Sequence, residues 1–329
     1  MRWMFLNRLA GLALVVAGSW ANSANAACDG YDIVLLGGQS NAVGRGLTGP
    51  HAFTAAQIAA EPRVFQVARS YDSLNDPIWT YLNSQTFQIT QASEPLMNNS
   101  NHNSEVGRIG FAYSFALLLA SQEKDPNRCV LLVPAARDGT SILAWNLIDR
   151  QYAGDLAFFY LDMISRTKLA LALLANSKVA AFLWLQGEED SLTIASIGTP
   201  TPLRLATLMP DAATYKTQLQ MVMAQLRTDT GCVPAMLGNL STSFISNFST
   251  DPAIQTNAET VKGQIAAAMK TVAAGDSCHK MAVIDSTGLL TNAQQVVTTG
   301  SQDLTHYSAT AQINLSNRFY KEYKILTKP

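Results

Sequence analysis

The sequence predicts an α/β protein with a mostly parallel sheet covered by helices. Three observations carry that reading. Short, almost uninterrupted apolar runs alternate with longer stretches of helical period. The runs lack a polar face, as expected of strands buried on both sides. Several of them end in glycine or polar groups, at the strand ends where ligands bind in such sheets. Strands are predicted at 31–37, 63–68, 128–134, 179–186, 233–240 and 281–285. Helices are predicted at about 110–122, 155–176, 211–229, 256–274 and 308–324.

The first run, Ile33-Val34-Leu35-Leu36, stops at Gly37-Gly38, and Gln39-Ser40-Asn41 follow at once. Glycines there let the chain turn sharply and leave room for a ligand. After the 63–68 run comes a segment rich in Asn, Ser and Gln, 84–105, which reads as a long loop. The 128–134 strand runs on to Asp138-Gly139-Thr140-Ser141. The 179–186 strand carries Phe182 and Trp184, expected in the core, and ends in Gln186-Gly187-Glu188. Residues 191–210, with Gly198, Pro200, Pro202 and Pro210, read as a second long loop. Long loops in compact domains are usually functional or disordered, and both of these flank motif segments and should rim a cleft. The last helix follows Asp303-Leu304-Thr305-His306. Ser40, Gly139 and Gln186 all follow strand ends, so the topology should gather them on one face.

Bulk properties narrow the partners. The net charge is −1, charged residues make up 14% of the 329, and no basic block occurs. Nucleic-acid binding is therefore not expected. A surface of Ser, Thr, Asn and Gln suits neutral polar partners such as sugars. Arg2 and Arg8, the apolar stretch Leu9–Gly18 and Ala24-Asn25-Ala26 form a signal-peptide pattern. Residues 1–26 are expected to be a cleaved signal and 27–329 a single secreted or periplasmic domain, with no membrane association after cleavage. An uncleaved membrane anchor is the alternative.

Four cysteines in an exported chain point to disulfides. Cys28 and Cys129 each sit just before the apolar run of a predicted strand, Ile33–Leu36 and Val130–Pro134, as Cys232 and Cys278 do before Val233–Leu240 and Met281–Asp285. Strand starts line one edge of a parallel sheet, so neighbouring strands bring leading cysteines within bridging reach. The expected pairs are Cys28–Cys129 and Cys232–Cys278. No Cys-x-x-Cys spacing supports a zinc cluster, and no metal or organic cofactor is expected.

A serine presented at the end of a strand needs a base, and the base needs an orienting group. His306 is the candidate base, since His51 and His102 lie in polar loops and His279 sits beside Cys278 at the opposite sheet edge. Asp303, three residues before it, can reach the ring from a tight turn. Glu188, also at a strand end, competes for that role. Helix capping is the plain alternative for both Ser40 and Asp303.

These segments, in order and spacing, resemble the SGNH-type (GDSL-like) esterases. They are most similar to the branch of sialate O-acetylesterases and carbohydrate acetyl esterases, including acetyl xylan esterases. Gly38-Gln39-Ser40-Asn41 with Gly44-Arg45-Gly46 resembles the nucleophile block. Glu94-Pro95-Leu96 and Val106-Gly107 resemble the second block, and Asp138-Gly139-Thr140-Ser141 with Trp145 the third. Trp184-Leu185-Gln186-Gly187-Glu188-Glu189-Asp190 and Asp303-Leu304-Thr305-His306 resemble the last two. The chain departs from the pattern at Gly107-Arg108-Ile109-Gly110, where the family commonly reads Gly-Pro-Gly, and at Asp138, where it commonly has Gly.

The resemblance implies a three-layer α/β/α sandwich on a flavodoxin-like sheet. It implies hydrolysis of acetyl esters on sugars through an acetyl-enzyme, with acetylated carbohydrate as the partner. Ser40, His306 and Asp303, with Glu188 in support, are the expected catalytic groups. The Gln186 amide and the backbone N–H groups of Ser40 and of Gly107 or Gly110 are the expected oxyanion donors. Asn41, Arg45, Gly139, Thr140 and Trp145 are expected either to touch the sugar or to hold the site together. Two other readings stay open: an esterase of different acyl specificity, and a catalytically degenerate glycan-binding protein.

Overall fold

The computed structural model describes residues 28–47, 61–67, 88–94, 96, 108–145, 159–196, 209, 211–243, 252–295 and 303–328. The expected signal segment, His51, His102, Gly107 and most of both long loops lie outside these residues.

The fold is α/β. Its sheet contains β1 (Gly30–Gly38), β3 (Val64–Val67), β4 (Ile89–Gln91), β6 (Arg128–Pro134), β7 (Lys178–Leu185), β8 (Ala235–Gly238) and β9 (Met281–Ile284). The strand order is β4-β3-β6-β1-β7-β8-β9. All pairings are parallel except β3 with β4. From β1 the chain builds β3 and β6 on one side, then crosses to β7 on the other. Ligands bind in the crevice where connections diverge in this way, here beside the carboxyl end of β1. A separate two-stranded ribbon pairs β2 (Gly46–Leu47) with β5 (Arg108–Ile109).

Alternate residues of each strand enter two cores, the period-2 consequence of the pleat. Ile33, Leu35, Leu131, Phe182 and Trp184 pack with helices α3 (Phe159–Leu173), α5 (Ala212–Thr230) and α6 (Pro252–Ala274). Val34, Leu36, Leu132, Leu183 and Met236 pack with α2 (Phe111–Gln122) and α7 (Ala309–Leu326). Helices thus cover both faces, and Phe182 and Trp184 are fully buried as expected.

Both disulfides form as expected. Tyr31 is in register with Cys129, so Cys28 and Cys129 meet with Cα atoms 5.6 Å apart. Cys232 and Cys278, which lead β8 and β9, meet at 5.4 Å. Among the described residues, no helix is long and apolar enough to cross a membrane.

Two segments differ from expectation. Ile89–Gln91, inside the first expected loop, forms the antiparallel edge strand. Residues 191–195, assigned to the second loop, complete helix α4 (Glu188–Ala195). That helix buries Glu188, Asp190, Ser191 and Thr193 beside Ala195, so its inner face is mostly polar.

Candidate active site

The site sits on the carboxyl ends of the central strands. Gly38 ends β1 with φ +135°, and any Cβ there would strike the Leu185 carbonyl. Only glycine allows the turn. Ser40 then opens the one-turn helix α1 (Ser40–Val43), locked by Ala42 and Val43 N–H groups donating to the Gln39 carbonyl at 2.8 and 2.9 Å. The Ser40 hydroxyl caps no helix and has no hydrogen-bond partner among the described residues. It lines a cleft of about 440 Å³ together with Gln39, Arg45, Arg108, Asp138, Gly139, Glu188, Glu189, Leu192, Thr305 and His306.

His306 reaches this cleft from the loop before α7. Its Nδ1 lies 2.9 Å from Asp303 Oδ2. An ionised carboxylate only accepts, so Nδ1 carries the hydrogen and Nε2 is left as the basic nitrogen. Asp303 Oδ1 accepts the N–H groups of Thr305 and His306 at 3.1 and 3.0 Å, and Asn292 donates to Oδ2 at 2.9 Å. Burial pushes the Asp303 carboxyl up. The His306 hydrogen bond, the His306 charge and the Asn292 amide outweigh that and hold it at about 2. Asp303 does not cap α7: Ser308 does, accepting from Ala311 N–H.

Asn41 ties the turn that carries Ser40 to the loop that carries His306. Its amide donates to Glu188 Oε1 at 2.7 Å and to the Thr305 carbonyl at 3.3 Å. Its oxygen accepts the Tyr307 N–H at 2.9 Å. The peptide is therefore gripped on both sides of His306. Asn41 is fully buried and does not line the cleft. Glu188 contacts Asn41, while Asp303 is the carboxylate on the imidazole. Burial raises the Glu188 carboxyl, against the pull of the Asn41 hydrogen bond.

The Gln186 amide does not project into the cleft as a free donor. It is fully buried. Its nitrogen faces Gln39 Oε1 at 3.2 Å, the Thr140 carbonyl at 3.1 Å and Asp190 Oδ2. Two hydrogens are thus committed to three acceptors. The Gly110 N–H is also engaged, donating to Glu94 Oε1 at 3.0 Å. Of the donors expected for an oxyanion, the Ser40 N–H remains without an acceptor among the described residues, and Gly107 lies outside them.

The third block is held from below. Asp190, fully buried, accepts from Ser141 Oγ at 2.5 Å and from Ile142 N–H at 3.0 Å. Thr140 is buried, donates to the Arg137 carbonyl at 2.8 Å, and does not line the cleft. Gly139, at φ +58°, does line it. Trp145 is fully buried edge-on against Trp184, with ring centroids 4.8 Å apart, and is core. Asp138 forms a two-armed pair with Arg45 on the cleft wall.

The profile of the family described as carbohydrate esterase, sialic acid-specific acetylesterase matches residues 30–324. The chain belongs to this family. A similar curated relative is a probable 9-O-acetyl-N-acetylneuraminic acid deacetylase of Escherichia coli (strain K12), 30% identical over 186 residues. That alignment spans 50% of this chain and 55% of the relative. Among solved structures, a protein from Arabidopsis thaliana superposes with TM-score 0.57 at 19% identity, covering 89% of this chain and 97% of its own. NanS superposes with TM-score 0.55 at 20% identity, covering 91% and 98%. At those identities the superpositions establish the shared fold.

Sequence reasoning assigned no role to Gln39, Asn292 or Arg108. Gln39 Oε1 accepts from Gln186, Gly187 and Glu189, joining the Ser40 turn to the start of α4. Asn292 lies in an unremarkable polar stretch, and only the fold brings it to Asp303.

Proposed function

We propose that this chain is an exported carbohydrate O-acetylesterase that works through an acetyl-Ser40 intermediate. The observation that carries the reading is the Asp303–His306 pair at 2.9 Å opening into the cleft that Ser40 lines. Membership of a carbohydrate acetylesterase family supports the acyl group and the substrate class. Two disulfides support export, since such bonds persist in oxidising compartments.

His306 Nε2 takes the Ser40 proton as Oγ attacks the acetyl carbonyl. Asp303 holds the ring in the required tautomer and stabilises the imidazolium that forms. The developing oxyanion turns toward the open Ser40 N–H. Collapse expels the sugar alkoxide, which takes the proton back from His306. Water, deprotonated by the same nitrogen, then releases acetate and regenerates Ser40. Glu188 and Asn41 act on geometry, by fixing the residues on either side of His306.

Acetate release from a panel of acetylated sugars, with Ser40→Ala as control, tests this reading. Release by the parent protein and none by S40A supports it. Equal release by both, or none from any acetylated sugar alongside measurable glycan affinity, contradicts it.

A further inference from the structure

Asn292 joins three segments at one point between β9 and α7, and it is fully buried. Its Oδ1 accepts the Leu47 N–H at 3.0 Å, from the ribbon that follows Ser40. Its Nδ2 donates to the Arg45 carbonyl and to Asp303 Oδ2, each at 2.9 Å. Its own N–H donates to the His306 carbonyl at 2.9 Å, and the Ala293 N–H donates to the Asp303 carbonyl at 2.9 Å. The neighbours fix which way the amide faces. A backbone N–H at one end demands the oxygen there, and a carbonyl with a carboxylate at the other end demands the nitrogen.

The two oxygens of Asp303 are used differently. Oδ1 accepts the N–H groups of Thr305 and His306, both from its own turn. Oδ2 faces His306 Nδ1 at 2.9 Å and also takes the Asn292 amide. A side chain from another segment thus donates to the very oxygen that meets the imidazole. The terminal torsion of a carboxylate is soft, and the Asp303 side chain is 28% exposed, so water competes for Oδ2. A buried donor at Oδ2 restricts that torsion and also favours the ionised form.

We infer that Asn292 is a positioning residue for the Asp303–His306 pair: it turns Oδ2 onto the imidazole and ties the pair to the ribbon end at Arg45 and Leu47. This rests on the proposed esterase reading. Asn292 does not line the cleft, so it acts through Asp303 and not on substrate.

A double-mutant cycle on kcat for p-nitrophenyl acetate tests it, run at high protein concentration so that slow variants are read. Asn292→Ala should lower kcat about tenfold or more in the parent protein, with KM changed by less than about twofold. In the Asp303→Asn protein the same substitution should change kcat by less than about twofold, because groups that act as a unit are not additive. Asn292→Asp keeps the size and the oxygen for Leu47 but sets a second carboxylate beside Oδ2. Its loss should match or exceed that of N292A and should likewise disappear in D303N. Thermal melts confirm that each variant folds. Equal losses in both backgrounds make Asn292 a support of the ribbon alone and overturn the proposal, as does a parent-like kcat in N292A. The Ser40→Ala control separates the two readings. Turnover that survives in S40A removes the esterase reading, whereas Ser40-dependent turnover with additive losses removes only the Asn292 reading.

Discussion

Asn41 Nδ2 lies 2.7 Å from Glu188 Oε1, a side-chain contact that, with those of Gln39, joins the Ser40 turn to the start of α4. The same side chain grips the backbone on both sides of His306. Ser40 and His306 are far apart in sequence, so their alignment depends on this buried connector. Asn41→Ala should therefore lower kcat by about 10²-fold with little change in KM, because misplacement of about 1 Å is that expensive. It should also cost about 1–3 kcal/mol of stability, since Glu188 loses its partner. Steady-state kinetics on p-nitrophenyl acetate and a denaturant titration check both values.

Asp303→Asn should lower kcat by roughly 10⁴-fold, because an amide can stabilise the wrong imidazole tautomer. Glu188→Gln should cost no more than about tenfold, since glutamine still offers an oxygen to Asn41. A larger loss in E188Q than in D303N would transfer the orienting role to Glu188.

Glu94 gives the fold a pH dependence of defined sign. Burial raises its carboxyl to about 8, against the N–H groups of Gly110 and Leu96 that favour the charged form. The folded state thus holds a proton that the unfolded chain releases near its ordinary value of 4.5. This contribution to stability is complete below that value and is lost as pH rises through about 8. Asp303 acts in the opposite sense at the acid end: its contribution is present above 3.8 and lost as pH falls through about 2. Melting temperatures of the parent protein should decline from pH 5 to pH 9, and Glu94→Gln should flatten the decline.

Opening the Cys28–Cys129 bridge, which spans 101 residues, should cost roughly 5 kcal/mol by loop-closure entropy. The Cys232–Cys278 bridge spans 46 residues and should cost slightly less. Urea titrations of the two Cys→Ser pairs compare them.

The parallel strands were legible because a strand buried on both faces leaves an uninterrupted apolar run. Val34 and Leu35 point to opposite cores, yet both are apolar. The disulfides followed from the same logic, since strand starts share an edge. The edge strand Ile89–Gln91 was not legible: three partly exposed residues carry no period. Helix α4 was hidden because four of its five buried residues, Glu188, Asp190, Ser191 and Thr193, are polar, with Ala195 the fifth. Residue types in the site could be read, but not their directions. Gln186 has the right donor for an oxyanion, and only the fold turns that donor onto Asp190. Trp145 has the right ring for a sugar, and only the fold places it against Trp184.

Rapid-quench mass spectrometry with an acetylated substrate tests the central claim most directly. The account predicts one added acetyl group, mapped to the peptide carrying Ser40, formed by the parent protein and absent from S40A. An acetyl group on another residue, or full turnover by S40A, would contradict it.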